Sequence, residues 1–314
     1  MPQVKVVHST YYRYARPVLF TTHRVMLRPR DSHDLRLRTT ALGLTPPASG
    51  TRWAHDVFSN SVCYLDWAGV KSDRLDIVST LEIDHFPAAV ESPYGMLDPA
   101  ADSFPFAYSP QEFPDLAWLI ERQYADPDGL VNAWARRFLR RGGGSRTLPL
   151  LTAITQAIKA DFAYEARDRE GTNPPTVTLA TRRGACRDFA LLMMDAVRSL
   201  GLAARFVSGY VYDERTGDAT VGGGATHAWC AVYLPGAGWV EFDPTNGLVA
   251  GRNLIRVCSA RTPEQAVPVA GGFIGRKDDF LGMSVNVEMT VAGVRSVDPQ
   301  PRGAVPPATP KQAA

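Results

Sequence analysis

Cysteine is scarce in this chain of 314 residues: Cys63, Cys186, Cys230 and Cys258 stand far apart and never form a CxxC pair. Such spacing excludes a disulfide framework, which a chain of this length does not need. It also leaves no ligand set for a structural zinc, so no metal is expected. An excess of one charge is missing too. The 34 Lys and Arg face 32 Asp and Glu, for a formal net charge of +2. The arginines are scattered among acids, so neither nucleic acid nor an anionic membrane surface is indicated as a partner. No run approaches the ~18 unbroken apolar residues of a membrane span. The opening Met1–Val7 lacks a charged-then-apolar leader pattern, so the expected location is cytoplasmic. No internal repeat is visible.

What is present is a soluble, globular composition, 45% hydrophobic and 21% charged, arranged in blocks. Residues 1–88 read as an N-terminal β-sandwich domain. Val4–His8, Arg36–Thr40 and Asp76–Ile83 alternate as half-buried strands do. Asp56–Leu65 reads as strand, turn at Ser59-Asn60, and strand. Residues 89–111 are dense in proline, which predicts a linker without regular helix or sheet. Residues 112–295 read as one α+β core. Helical spacing marks Leu116–Ile120, Val131–Leu139 and Leu148–Lys159, and strands return from residue 203. Residues 296–314 hold Pro299, Pro301, Pro306, Pro307 and Pro310 with few apolar residues, which predicts a disordered tail.

The most informative stretch is Arg182–Gly201. Phe189–Leu200 forms an amphipathic helical pattern closed by Gly201, so Cys186 falls at or just before the first turn. Free amides and the helix dipole stabilise negative charge there, and a cysteine attacks as its thiolate. Arg182, Arg183 and Arg187 could add to that field, while Asp188 would oppose it if near. Gly184 would let a substrate carbonyl approach the sulfur, and the Cys186 amide could point at a developing oxyanion. Taken alone, a free cysteine is more often a small buried residue.

A second pattern lies downstream. His227–Leu234 and Gly238–Asp243 alternate around a Pro/Gly turn and predict a hairpin. If its loop is Pro235-Gly236-Ala237, Leu234 pairs with Gly238. His227 and Asp243 then share a face as diagonal neighbours. A four-residue loop would put them on opposite faces. An imidazole near the thiol can take its proton and later protonate a leaving amine. A carboxylate on the other ring nitrogen fixes the tautomer. Alone, His227 is more often structural, and Asp243 before Pro244 is a turn residue. The joint pattern of Cys186, His227 and Asp243 outweighs both. His8, His23, His33, His55 and His85 show no ligand spacing, and Cys230 points away from His227.

These residues resemble the bacterial transglutaminase-like superfamily. Gly184–Ala190 looks like its cysteine motif, Thr226–Trp229 its histidine motif and Gly238–Gly247 its aspartate motif. Arg205–Tyr210 looks like the strand that follows the cysteine helix, and residues 1–88 are similar to the β-sandwich preceding the core in many bacterial members. The resemblance implies a papain-like core of helices packed on an antiparallel sheet. It implies no metal and no organic cofactor, and a triad in the order Cys186, His227, Asp243. It further suggests Tyr164 as an oxyanion candidate. In Arg256–Val269, many relatives carry an Asp and a Tyr that are absent here. The implied activity is acyl transfer from a peptide or protein amide through a Cys186 thioester, with water as the expected acceptor. An amine acceptor would make the protein a crosslinking transglutaminase. An acetyltransferase of the arylamine type is disfavoured, because those place the cysteine nearer the N-terminus. A non-catalytic scaffold is disfavoured because all three residues are present.

Overall fold

The computed structural model describes residues 2–87, 92–167, 170–212, 226–249, 251 and 253–292. The expected tail, 296–314, and the start of the expected linker lie outside these. The chain opens with β1 (Gln3–Phe20), β2 (His23–Val25), β3 (Leu35–Thr45), β4 (Gly50–His55), β5 (Ser61–Asp66) and β6 (Lys71–His85). Alternation decides their faces: in β6, Leu75, Ile77, Leu81 and Ile83 are buried and their neighbours are more exposed. β1, β6 and β3 lie side by side in one sheet, and β2, β5 and β4 in another. Tyr14, Val18, Leu75 and Ile77 of the first meet Val25, Cys63 and Leu65 of the second in a shared apolar cluster. The expected turn after β4 is present but begins earlier, because the Asp56 carboxylate accepts from the amides of Phe58 and Asn60 and from Asn60 Nδ2. That ends the strand at His55.

The proline-rich stretch is more regular than its composition predicts. It holds the short helix α1 (Ser92–Met96) and the two-residue β7 (Ser103–Phe104). Beyond them, Tyr108 packs on the core: its hydroxyl donates to Tyr233 O and accepts from the Ala203 amide. Next come α2 (Phe113–Ile120), α3 (Leu130–Arg136) and β8 (Ser145–Arg146), which pairs with β7. They are followed by α4 (Thr147–Asp161), β9 (Ala163–Tyr164), α5 (Pro175–Thr181), β10 (Arg183–Gly184) and α6 (Cys186–Ser199). The chain then builds an antiparallel sheet from β11 (Ala204–Val211), β12 (His227–Leu234), β13 (Gly238–Asp243), β14 (Leu248–Val249) and β15 (Leu254–Ala260), in the order β14-β13-β12-β11-β15. One apolar cluster joins Ile154 and Ile158 of α4, Leu191–Met194 of α6, and Phe206, Cys230, Val232 and Phe242 of the sheet.

The last segment departs from expectation. β16 (Val269–Ala270), β17 (Phe273–Ile274) and β18 (Phe280–Ala292) do not extend the core sheet. β16 pairs with β2, while β17 and β18 pair with β1. The sequence boundary at residue 295 therefore does not describe the pairing. The N-terminal sheets are completed by residues 269–292, and the core is threaded between. The first sheet also lies on the core sheet, where Val4, Val6, Leu81 and Ile83 pack against Tyr210, Tyr212, Ile255 and Val257. Two buried imidazoles bridge the contact, His8 Nδ1 with the Tyr210 hydroxyl at 3.0 Å and His85 Nδ1 with the Tyr212 hydroxyl at 2.9 Å.

Candidate active site

The hairpin closes in the register that sets His227 and Asp243 on one face. Leu234 pairs with Gly238 and Cys230 with Phe242, leaving Pro235-Gly236-Ala237 as a three-residue loop. The turn needs a left-handed residue after the proline, and Gly236 supplies it with φ of 83°. A side chain there would also strike the backbone of Met96 and Asp98. With this odd loop His227 and Asp243 share a face. His227 Nε2 donates to Asp243 Oδ2 at 2.8 Å, with both side chains wholly buried.

Asp243 is satisfied on every side. Its Oδ1 accepts from the amides of Thr245 and Asn246, and its Oδ2 from Asn246 Nδ2 at 2.7 Å as well as from His227. The turn role and the histidine-orienting geometry thus belong to one carboxylate. Burial raises its proton affinity, but the His227 charge and these bonds outweigh that and hold the carboxyl below its ordinary range. Burial likewise disfavours the imidazolium, yet Asp243 and then Cys186 act on it so strongly that His227 is pushed up to about 10. Its remaining nitrogen, Nδ1, is buried and makes no hydrogen bond among the described residues, while the Cys186 thiol is, after Asp243, the group that acts on the ring.

Cys186 is the first residue of α6, one turn earlier than the apolar pattern alone marks, and is 8% exposed. The amide at this position has no acceptor within the helix. Asp188, expected to oppose a thiolate, is otherwise engaged. Its Oδ2 accepts from the Ala185 amide, and its Oδ1 accepts from the Asn173 amide at 2.7 Å and from Arg167 at 3.0 Å. This is the acidic half of a capping box, neutralised by an arginine. Gly184 also has a packing role. A Cβ there would lie 2.8 Å from Asp188 Cβ, so the glycine serves the cap packing. Arg187 donates to the carbonyls of Gly171 and Arg167 and so anchors the preceding loop over the helix start. Arg182 lies 3.9 Å from Asp161. Arg167 and Asn173 were invisible to sequence reasoning, because their role depends on this loop folding back.

Tyr164 stands at the rim, 40% exposed, where β9 pairs in parallel with β10 and sets Tyr164 beside Gly184. Burial raises its phenol's proton affinity, and the charge of Cys186 adds to the effect, so the hydroxyl lies within electrostatic reach of the sulfur. Beneath His227, Trp229 stacks on the imidazole, and Gly209 is the β11 residue opposite His227. Among the described residues no His, Cys, Asp or Glu cluster could hold a metal ion. A cavity of about 520 Å³ lies in the N-terminal region, lined by Arg28, Arg38, Trp53 and His55. Its lining includes none of Cys186, His227 and Asp243, so side-chain geometry rather than cavity volume locates the site.

Comparison with known proteins agrees with this architecture. Residues 133–244 match the transglutaminase-like superfamily, and residues 4–84 match the bacterial transglutaminase-like N-terminal region. An uncharacterised protein of Mycobacterium tuberculosis is 27% identical over 303 residues, covering 90% of this chain and 91% of the relative. One from Mycobacterium leprae is 36% identical over 108 residues, 33% of this chain and 37% of that protein. A crystal structure of a candidate cysteine protease from Cytophaga hutchinsonii has a TM-score of 0.67 at 18% identity, covering 93% of this chain and 91% of that one, a likeness of fold.

Proposed function

Because this chain belongs to the transglutaminase-like superfamily, we propose that it transfers the acyl group of a peptide or protein amide through a thioester on Cys186. Water is the final acceptor. The observation that carries this is the buried His227–Asp243 bond, which leaves only Nδ1 of the imidazole to serve the thiol. His227 Nδ1 takes the Cys186 proton, and the sulfur attacks the amide carbon, forming a C–S bond and moving the carbonyl π pair to oxygen. In this reading the helix-start amides and the Tyr164 hydroxyl donate to that oxyanion. His227 gives its Nδ1 proton to the leaving nitrogen, the C–N bond breaks, and a thioester remains. His227, now neutral, takes a proton from water. The hydroxide adds to the thioester carbon, the C–S bond breaks, and His227 returns its proton to the departing sulfur, so that acid and thiol are regenerated.

The test is the alkylation rate of Cys186 by iodoacetamide against pH, in the wild type and in His227→Ala. A rate already high at neutral pH and reduced about 10²-fold or more in the variant is expected, the usual weight of a positioned acid–base group. A slow rate in both proteins, rising only near the ordinary thiol value of ~8.5, would mean that no ion pair preexists. Acceptor choice is read separately, by release of amino groups from a peptide library against incorporation of a fluorescent primary amine. Incorporation that dominates hydrolysis would replace water by an amine as the acceptor.

A further inference from the structure

The final strand leaves an edge open. β18 pairs with β1 on one side and with no other strand among the described residues. It runs 13 residues without proline or lysine, and Glu288 is its one charge. Natural sheets blunt their edges with prolines, lysines, bulges or short strands. Here the only such device is an irregularity at one end, between the partners of Arg13 and Tyr14. The row of β18 that faces the core is apolar. Val287 is buried in the contact with the core sheet, but Met283 and Val285 are 40% and 39% exposed, and Leu281 near the irregularity is 66% exposed. Unpaired main chain and uncovered apolar side chains run along the same strip.

We propose that this edge pairs with β18 of a second copy of the chain, antiparallel, about a two-fold axis through Asn286. About that residue the strand is close to self-complementary. Val285 meets Val287 of the other copy, Met283 meets Met289, and Glu288 meets Ser284. A shift of one residue would set the apolar row against the polar one. A pairing centred on Glu288 would oppose two like charges. The chain's own continuation is a poor occupant, since Pro299, Pro301, Pro306, Pro307 and Pro310 lack the N–H a strand must donate. A 13-residue seam is ~43 Å long and, at ~10 Å across, covers ~400 Å² per copy. That is about half a standard interface and sets a reversible, micromolar dimer rather than an obligate one.

Sedimentation equilibrium of the full chain over about 1–300 µM brackets such an affinity. The average mass should climb from monomer toward dimer across that range. Val285→Lys, with unchanged circular dichroism and Cys186 alkylation, should raise the midpoint at least about ten-fold, as an unpaired charge in a seam requires. A mass that stays monomeric at the top of the range overturns the proposal, as does a dimer indifferent to Val285→Lys. If that variant does not fold, Asn286→Cys in a Cys186→Ser background decides alone. The axis sets the two sulfurs opposite each other, so mild oxidation should give a covalent dimer. Its absence overturns the pairing.

Discussion

At the residue scale, the His227–Asp243 pair carries the proposed chemistry and a pH-dependent share of the stability. The signs follow from the two proton affinities. His227 is raised, so its stabilising effect is complete below the ordinary imidazole value of ~6.5 and is lost as pH climbs through about 10. Asp243 is lowered, so its effect is complete above ~3.9 and is lost as pH falls through its depressed value. Between those limits Asp243→Asn should cost about 3 kcal/mol in urea denaturation, because it leaves a buried imidazole without its counter-charge. The same variant should lower turnover at least about 10²-fold through the lost orientation of the ring. A variant as stable as the wild type at pH 6 would contradict this account. The three residues were legible because each sat in a local frame that the sequence defines: a helix start, a strand and a strand end. The hydrogen-bonding service of Asn246 was not, although Asp-Pro-Thr-Asn is a turn signal from which it could have been suspected. Nor was the neutralisation of Asp188, since its arginine arrives from 21 residues away.

At the element scale, the support of the site depends on close approaches between strands. In β11, a Cβ on Gly209 would sit 2.0 Å from Ile255 O and 2.8 Å from the ring of Trp229. Gly209→Ala should therefore push β15 or Trp229 aside, costing about 2–4 kcal/mol. It should also slow Cys186 alkylation, since Trp229 stacks on His227; measuring the melt and the rate together separates the two effects. The contact between the first sheet and the core sheet makes a different prediction. Burial pushes His8 down to about 4, and His85 likewise to about 4, with Asp34 partly opposing and Arg256 assisting. The unfolded chain takes up these protons at ~6.5 and the folded one does not, so stability falls as pH drops between those values, by up to about 3 kcal/mol per histidine. Urea midpoints measured from pH 7 to 4 should show this slope, and His8→Gln with His85→Gln should flatten it. Strand periodicity was readable in parts of β1, β3 and β6 and in the β12–β13 hairpin, while the odd loop followed only from requiring His227 and Asp243 to share a face. α5 was not readable: seven residues with three threonines and a valine carry little helical propensity.

At the scale of the whole molecule, the sequence disclosed the two building blocks but not how the chain closes them. Alternation marks β18 as a strand, yet nothing local says that its partner lies nearly the full chain length away in β1, because period-two patterning specifies a face and not a neighbour. Gln3 pairs with Ala292, so residues at opposite ends of the described chain are a strand's width apart. A peptide bond joining that neighbourhood, with new ends opened elsewhere at an exposed turn, should preserve the fold. Circular dichroism and Cys186 reactivity of such a permuted chain would test it. The same closure bears on biosynthesis. A ribosome delivers residues in order, so the core containing Cys186 emerges while β1 still lacks its outer neighbour. The first sheet cannot be finished until residue 292 is free. Such long-range closure is slow relative to local folding, so a growing chain would hold one edge of β1 open, with only β6 beside it, until residue 292 has emerged, and an edge exposed that long invites mispairing in the nascent chain.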